Sequence, residues 1–321
     1  MANIRFPRSG TMQFWPRKRA KRIYARVRSR PKVDSVKLLE FAGYKVGMVH
    51  ALVLDLTPNS MTKNEEKTVP LTIIECPPLK IASVRFYKKT NNGLKIVSEC
   101  FVGKDKDLLR KVPKVKKQKS IEEFEPKLEE FDDITILVYT QPKKSGVRKK
   151  KPEIFEVKLS GSVKEKYNFI KERINKEINV EEVFTEGVLV DVHAVTKGKG
   201  IQGPVKRFGI ALKSHKSQKG QRAVGSLGPW NAQAHILYRV AHAGQTGFHQ
   251  RTEYNKLIVK IVDPKEIEKK SGYEHYGQIH EKAILLKGSV PGAKKRLIRM
   301  VQAIRPNKKK QEQLQLIKII K

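Results

Sequence analysis

Cysteine is almost missing from this chain: Cys76 and Cys100 are the only two in 321 residues, and they lack CxxC spacing. That scarcity argues against a disulfide framework or a structural zinc site and predicts two buried thiols in a reducing cytosol. Long apolar runs are absent as well. None approaches the roughly 18 residues that a spanning helix needs, and the charged N-terminus has no apolar stretch of the secretory kind, so neither membrane insertion nor export is expected. GxSxG, HExxH, P-loop and paired-carboxylate patterns do not occur, which leaves no catalytic constellation and no cofactor. The most informative gap concerns one sign of charge. From Val192 to Arg251, sixty residues pass without an Asp or Glu, while ten Lys or Arg and five of the eight His fall in the same span.

What is present complements that gap. The 68 Lys and Arg outnumber the 32 Asp and Glu, a formal charge of +36, which points to nucleic acid ahead of an acidic membrane surface. The excess is sorted along the chain. Residues 1–37 hold twelve basic residues and one acid, whereas residues 104–182 hold 21 basic residues and 16 acids. The acid-free span reads in part TKGKGIQGPVKRFGIALKSHKSQKGQRAVGSLGPWNAQ, too polar and glycine-rich to build its own core. Its cations need an external counter-charge, and a polyanion is the simplest supplier. A merely basic surface loop is the competing account, but structureless loops beyond about 15 residues are uncommon in compact domains. Phe208, Ile210, Leu227, Trp230, Ile236 and Leu237 also argue against plain disorder. In the opening segment, cations alternate with Phe6, Phe14, Trp15 and Tyr24. There Arg5, Arg8, Arg17, Lys18, Arg19, Lys21 and Arg22 are candidate phosphate partners, and Trp15 a candidate base-stacking ring. The run PRKRAKR also fits a nuclear-localisation signal, but short basic runs are not specific, and an extended RNA-binding tail is the favoured reading.

Between these arms the chain predicts β structure. Short apolar runs at FAGYKVGMVHALVLDL, TVPLTIIECPP, IASVRFYKK and LKIVSECFVG follow one another closely, with a hairpin signal at Asn92-Gly93. Strands resume at 188–196 and 255–263, and again at 281–290 and 297–304, a spacing that suits a barrel or sandwich. The charge-balanced segment predicts a helix opened by a Ser120–Glu123 capping box, strands at 134–139 and 153–159, and an amphipathic helix carrying Val163, Tyr167, Ile170, Ile174 and Ile178. The expected organisation is a basic extension over 1–37, a discontinuous β core over 38–103 and 183–305, and an α/β insertion over 104–182. A basic finger covers 193–254, and the tail over 306–321 is either a short helix or unstructured.

Two tempting motifs fail. Gly198-x-Gly200-x-x-Gly203 matches a dinucleotide fingerprint, but Pro204 follows at once and position 222 is Arg where an acid is required. His235, His242 and His249 recur every seven residues without a Cys or carboxylate to complete a metal site, and are better read as donors or stacking groups for RNA.

At PRSGTMQFWPRKRAKR, FAGYKVGMVH, VHAVTKGKGIQGPVKRFGI, GSLGPWNAQ and AHAGQTGFHQRTEYNK, the chain resembles the family of the third protein of the large ribosomal subunit, in its archaeal and eukaryotic form. The matches run in order from Pro7 to about Ile304. The resemblance implies a mainly β fold with an α/β insertion, built on a translation-protein-type β-barrel with two long RNA-penetrating extensions. It implies a cytoplasmic constituent of the large subunit that binds its ribosomal RNA early in assembly. Neighbouring ribosomal proteins would be partners, with tRNA at the aminoacyl site an indirect one. No homo-oligomer, metal or enzymatic activity is implied. Carried over by match, the RNA-contacting residues would include Lys197, Gly198, Lys199, Gly200, Gln202, Lys206, Arg207, Lys219 and Arg222, then Gln245, His249, Arg251, Tyr254 and Asn255. Lys213, His215 and Lys216 join them as polar groups of the same arm. Trp230 would sit near the finger tip, facing the peptidyl transferase centre. One departure matters: eukaryotic relatives place a modifiable His where this chain has Gln218, so that modification is not expected. The rivals are an RNA-modifying enzyme with a binding barrel and a non-specific nucleic-acid-compacting protein.

Overall fold

A computed structural model of the chain describes residues 10–31, 33, 35–113, 120–229, 235–306 and 312–320. They form two compact units, a body of residues 24–194 and 252–321 and an arm unit of residues 1–23 and 195–251. In chain order the strands are β1 (Glu40–Asp55), β2 (Glu66–Glu75), β3 (Leu79–Thr90), β4 (Gly93–Phe101), β5 (Asp133–Thr140), β6 (Ile154–Lys158), β7 (Leu189–Val195), β8 (Gly198–Gln202), β9 (Gly244–Gly247), β10 (Gln250–Val262), β11 (Ala283–Lys287), β12 (Leu297–Gln302) and β13 (Leu314–Ile320). The α-helices are α1 (Lys106–Leu109), α2 (Val163–Arg173), α3 (Pro204–Phe208) and α4 (Pro264–Ile267). The protein is mainly β, as its spaced apolar runs predict.

In the body, β12, β7, β10, β11, β2, β1 and β13 make one sheet in that order, and β12 also pairs with β1. Six strands therefore close a circuit of pairings. The 16-residue β1 makes this possible, since Glu40–Tyr44 pairs with β12 and His50–Asp55 pairs with β13 along the same strand. Opposite β2 the register of β1 shifts between Lys45 and Gly47. Gly43 is required by close approach, because a Cβ there would lie 2.6 Å from the Glu75 carbonyl oxygen. Buried Val, Ile, Leu and Phe side chains from both sheets of the body join in one core, with Phe86 stacked on Phe124 at 4.6 Å between centroids.

Strand pairing divides the chain differently from its charge pattern. Residues 79–101 are expected in the β core, but β3 and β4 pair with β5 and β6 in a separate sheet of order β4-β3-β5-β6. Local sequence cannot reveal that partnership, because β5 lies some forty residues beyond β3. The hairpin at 91–93 forms as predicted, Thr90 pairing with Gly93. The Ser120 backbone N–H donates to Glu123 Oε1 at 2.9 Å, half of the expected capping box, but the segment that follows winds as a 3-10 helix over Glu122–Glu130 around Pro126. A full capping box, Ser162 with Glu165, opens α2 instead. That helix stops at Arg173, short of the predicted Ile178. Asn175 adopts φ 62°, outside the helical region, and Ile178 pairs with Leu79 as an isolated bridge. The tail, read as helix or unstructured, contains β13. Its Leu314 and Leu316 alternate with Gln315 and pack against the core, a period-2 pattern.

Glu40 is fully buried in the body. It accepts from Arg30 Nη2 at 2.8 Å and from Arg299 Nη2 at 2.5 Å. Arg299 also donates to the Glu156 carbonyl at 2.7 Å and lies 4.5 Å over the Phe155 ring, so one guanidinium links β12 to β6. Asp55 and Asp191 are likewise buried and bonded: the backbone N–H groups of Asn255 and Ile304 donate to Asp191 at 2.9 and 3.1 Å.

Candidate nucleic-acid interface

The arm unit contains no Asp or Glu among its 80 residues and carries 17 Lys or Arg. Its framework begins with β8 and β9, antiparallel strands that pair at the root of the long connection between them. Gly247 is needed there. Its φ is 71°, and a Cβ would sit 2.0 Å from the Lys197 carbonyl oxygen. The helix α3 starts immediately after β8, with Pro204 at its first position. At the first position of a helix proline loses no hydrogen bond and its φ is already suitable, and Gly209 ends the turn in the left-handed region. Helix α3 is only five residues long and follows a strand of an antiparallel pair, so the fingerprint glycines do not belong to a βαβ unit.

With no carboxylate to meet, the arginines of this unit turn to rings and carbonyls. Phe208 is the hub: Trp15 stacks on it at 5.7 Å between centroids, Arg17 lies 4.5 Å over the ring and Arg207 5.0 Å from it. Arg17 Nη1 donates to the Arg207 carbonyl at 3.2 Å, and Arg207 donates to the carbonyls of Gln245 and His242 at 3.1 and 2.8 Å. Arg251 covers Phe14 at 4.8 Å, and Arg19 covers Phe248 at 5.4 Å. His249 is buried. Its Nδ1 donates to the Lys18 carbonyl at 2.9 Å, while its backbone N–H donates to Thr196 Oγ1 at 3.2 Å. Burial holds this imidazole below its usual pKa, and the nearby Arg251, Arg17 and Arg207 charges push the same way against the Lys18 carbonyl. Burial, then the Arg17 charge, also lowers Arg207 and Arg251.

The residues singled out from sequence separate into two sets. Trp15, Arg17, Arg207, Gln245, His249 and Arg251 are half-buried or buried and tie the N-terminal segment to the root of the finger. Gln202 is half-buried and donates to the Lys199 carbonyl at 2.7 Å. Lys18, Arg19, Lys21, Arg22, Lys197, Lys199, Lys206, His215, Lys216, Lys219 and Arg222 are exposed, as are Gly198 and Gly200. Lys213 is half-exposed in a turn closed by its backbone N–H on the Gln221 carbonyl. Tyr254 and Asn255 belong to the body, Tyr254 being 65% exposed. Arg5, Arg8 and Trp230 lie outside the described residues. Sequence reasoning did not single out Phe14 and Phe248 as ring seats, and counted Phe208 only as a sign of order. The signal was available, since Phe208 directly follows Arg207 and Phe14 precedes Trp15. Among the described residues no group of three or more His, Cys, Asp or Glu could hold a metal ion.

The arrangement presents an outer layer of cations on a scaffold of rings, carbonyls and half-buried arginines, with no acid in the unit to quench them. That suits a polyanion, because exposed cations neutralise phosphates while the scaffold fixes their positions. The model of the family described as Ribosomal protein L3 matches residues 1–320. The large ribosomal subunit protein uL3 of Archaeoglobus fulgidus is 47% identical over 308 residues, covering 94% of this chain and 93% of the relative. The uL3 proteins of Methanothermobacter thermautotrophicus and Methanocaldococcus jannaschii are 43% and 44% identical, covering 98% and 95% of this chain and 97% and 93% of their own. The chain belongs to the ribosomal protein L3 family.

Proposed function

We propose that this protein is a structural constituent of the large ribosomal subunit in the cytoplasm, binding large-subunit ribosomal RNA through its arm unit. The observation that carries this reading is the acid-free unit of 80 residues with its cations outermost, in a chain of the ribosomal protein L3 family. The body serves as the docking platform. Its closed circuit of six strand pairings supports the reading of a translation-protein-type β-barrel. The arm unit enters RNA, with Trp230 near the finger tip toward the peptidyl transferase centre. Binding occurs early in assembly, neighbouring large-subunit proteins contact the body, and tRNA at the aminoacyl site is affected only through RNA. The chemistry of peptide transfer stays with RNA, for the arm unit has no Asp, Glu or Cys to offer.

The deciding experiment is sedimentation of cell extract with the fractions probed for this protein. Comigration with large subunits that survives moderate salt is expected. A free species at the top of the gradient would overturn the proposal. Trp230→Ala is expected to leave the protein folded and disturb tRNA selection or peptide transfer, and loss of soluble protein would instead make Trp230 a core residue.

A further inference from the structure

A cavity of about 390 Å³ opens in the body, away from any residue assigned above, between the β5–β6 connection and the β10–β11 connection. Lys143, Arg148, Lys270 and His280 line it, together with Ser271 and Gln278, and no carboxylate does. Elsewhere in the body several cations meet carboxylates, as Lys80 does Asp105, Arg85 Glu99, Lys144 Glu177 and Lys282 Glu181. Here Lys143 meets Asp107, whereas Arg148 and Lys270 have no acidic partner among the described residues. The carboxylate nearest in role, Glu75, is committed beneath the loops. It accepts from the backbone N–H groups of Gly146, His280 and Glu281 at 3.0, 2.7 and 3.1 Å, and from the Tyr276 hydroxyl.

Those bonds also make the cavity preformed. Glu75 holds both connections at once, and they touch so closely that a Cβ on Gly146 would lie 2.0 Å from the Gln278 carbonyl oxygen. Arg148 stands in the left-handed region at φ 57°, a conformation that a long side chain adopts only when its surroundings impose it. Lone cations on a fixed frame are a site for a phosphate. The space exceeds what a bare phosphate fills and falls in the size range of small-molecule pockets. The Gln278 amide can both donate to and accept from a base edge.

We infer that this cavity holds a single phosphate-bearing nucleotide of an RNA strand, making it a second RNA contact on the body. Arg148 and Lys270 meet the phosphate, and Gln278 faces the base. The inference deepens the RNA-binding reading above and rests on it. The same chemistry also occurs in a free mononucleotide, so the test includes one.

The full-length chain is crosslinked to a single-stranded RNA containing 4-thiouridine, and the attached peptides are mapped by mass spectrometry. Arg148→Gly with Lys270→Gln serves as the cavity variant, because glycine accepts the left-handed φ at position 148. Lys197→Gln with Lys199→Gln is the arm variant. Wild-type protein should crosslink in both 197–222 and the cavity loops. The cavity variant should lose about tenfold or more of the loop product, as expected when two charge-assisted contacts go, and keep the arm product. Crosslinks in the arm with none in the loops overturn the cavity inference and leave the RNA-binding reading standing. No crosslink at either place overturns both. If uridine monophosphate occupies the loops as well as RNA does, nucleotide for nucleotide, the cavity is a free-nucleotide site and the RNA assignment fails.

Discussion

The arm unit and the body solve the same electrostatic problem in opposite ways. The body carries 51 of the 68 basic residues and all 32 acids, so it can place cations against carboxylates, even in its interior, as Glu40 does with Arg30 and Arg299. The arm unit has 17 cations and no anion. Its internal arginines therefore use aromatic faces and backbone carbonyls, acceptors that leave the positive charge unneutralised. Apolar burial differs in step. Among the described residues of the arm unit, the buried apolar side chains are Val195, Pro204 and Phe208, and none of them is in the body's core cluster. The body is thus stabilised from within, while the arm unit leaves its net charge without an internal counter-charge.

Salt should separate the two units most strongly. If about eight exposed arm cations each meet a phosphate, the logarithm of RNA affinity falls with log salt at a slope between about −5 and −7, and about three to four orders of magnitude are lost between 50 and 200 mM. Neutralising Lys197 and Lys199 should flatten that slope, whereas neutralising Lys164, which meets Glu129 in the body, should not change it. Filter binding over a salt series measures both, and an unchanged slope for the arm variant would break the comparison. Next in size is Glu40→Gln. It leaves Arg299, 4% exposed, without its counter-charge, and should cost about 3–5 kcal/mol of body stability in denaturant melts followed by circular dichroism. A cost below 1 kcal/mol would mean that Phe155 and the Glu156 carbonyl suffice, as rings and carbonyls do in the arm unit.

The sequence disclosed this division only in part, for physical reasons. Strands such as β5 and β7 were legible because their apolar residues outlast any turn signal, and the arm was legible because charge sign is a composition property. The partnership of β3 with β5 was not, since pairing across some forty residues leaves no local trace. Nor do the internal contacts of Arg17, Arg207 and His249 show in the sequence. An arginine that faces a carbonyl and one that faces a phosphate look alike in a string of letters, and only the adjacent Phe208 hinted that the first kind was present. Helix α3 has no legible apolar period at five residues, and its one sequence signal is Pro204, which at that position marks a beginning.

Phe208→Ala tests whether the arm scaffold is independent of the body. Both tryptophans, Trp15 and Trp230, fall within the arm unit, so their fluorescence reports on it while circular dichroism reports mainly on the body's strands. Removing the ring takes away the seat of Trp15, Arg17 and Arg207. Emission should shift to the red, while body stability stays within about 0.5 kcal/mol of wild type. A loss of about 3 kcal/mol in the body would show that the ring belongs to one cooperative unit with it.

The smallest expected effect is a pH dependence confined to the arm. The folded-state pKa of His249 is lowered by burial and by Arg251, Arg17 and Arg207, so the unfolded arm binds the proton more readily than the folded one. The His249 contribution is therefore complete above the unfolded value of about 6.5. It declines as pH falls through that value and levels off below the lowered folded value. Amide exchange at Thr196 and Phe248, corrected for intrinsic rates between pH 8 and 5.5, should show protection falling with acid. His249→Gln cannot gain that proton, so its protection should not vary with pH. His193 is also lowered by burial, but it stands in β7, where Arg299 pairs with it across the body's sheet. Its titration would surface as exchange throughout the body. Acid-dependent loss that persists in the Gln variant and spreads through β7 and β12 would therefore assign the proton to His193 and return the effect to the body.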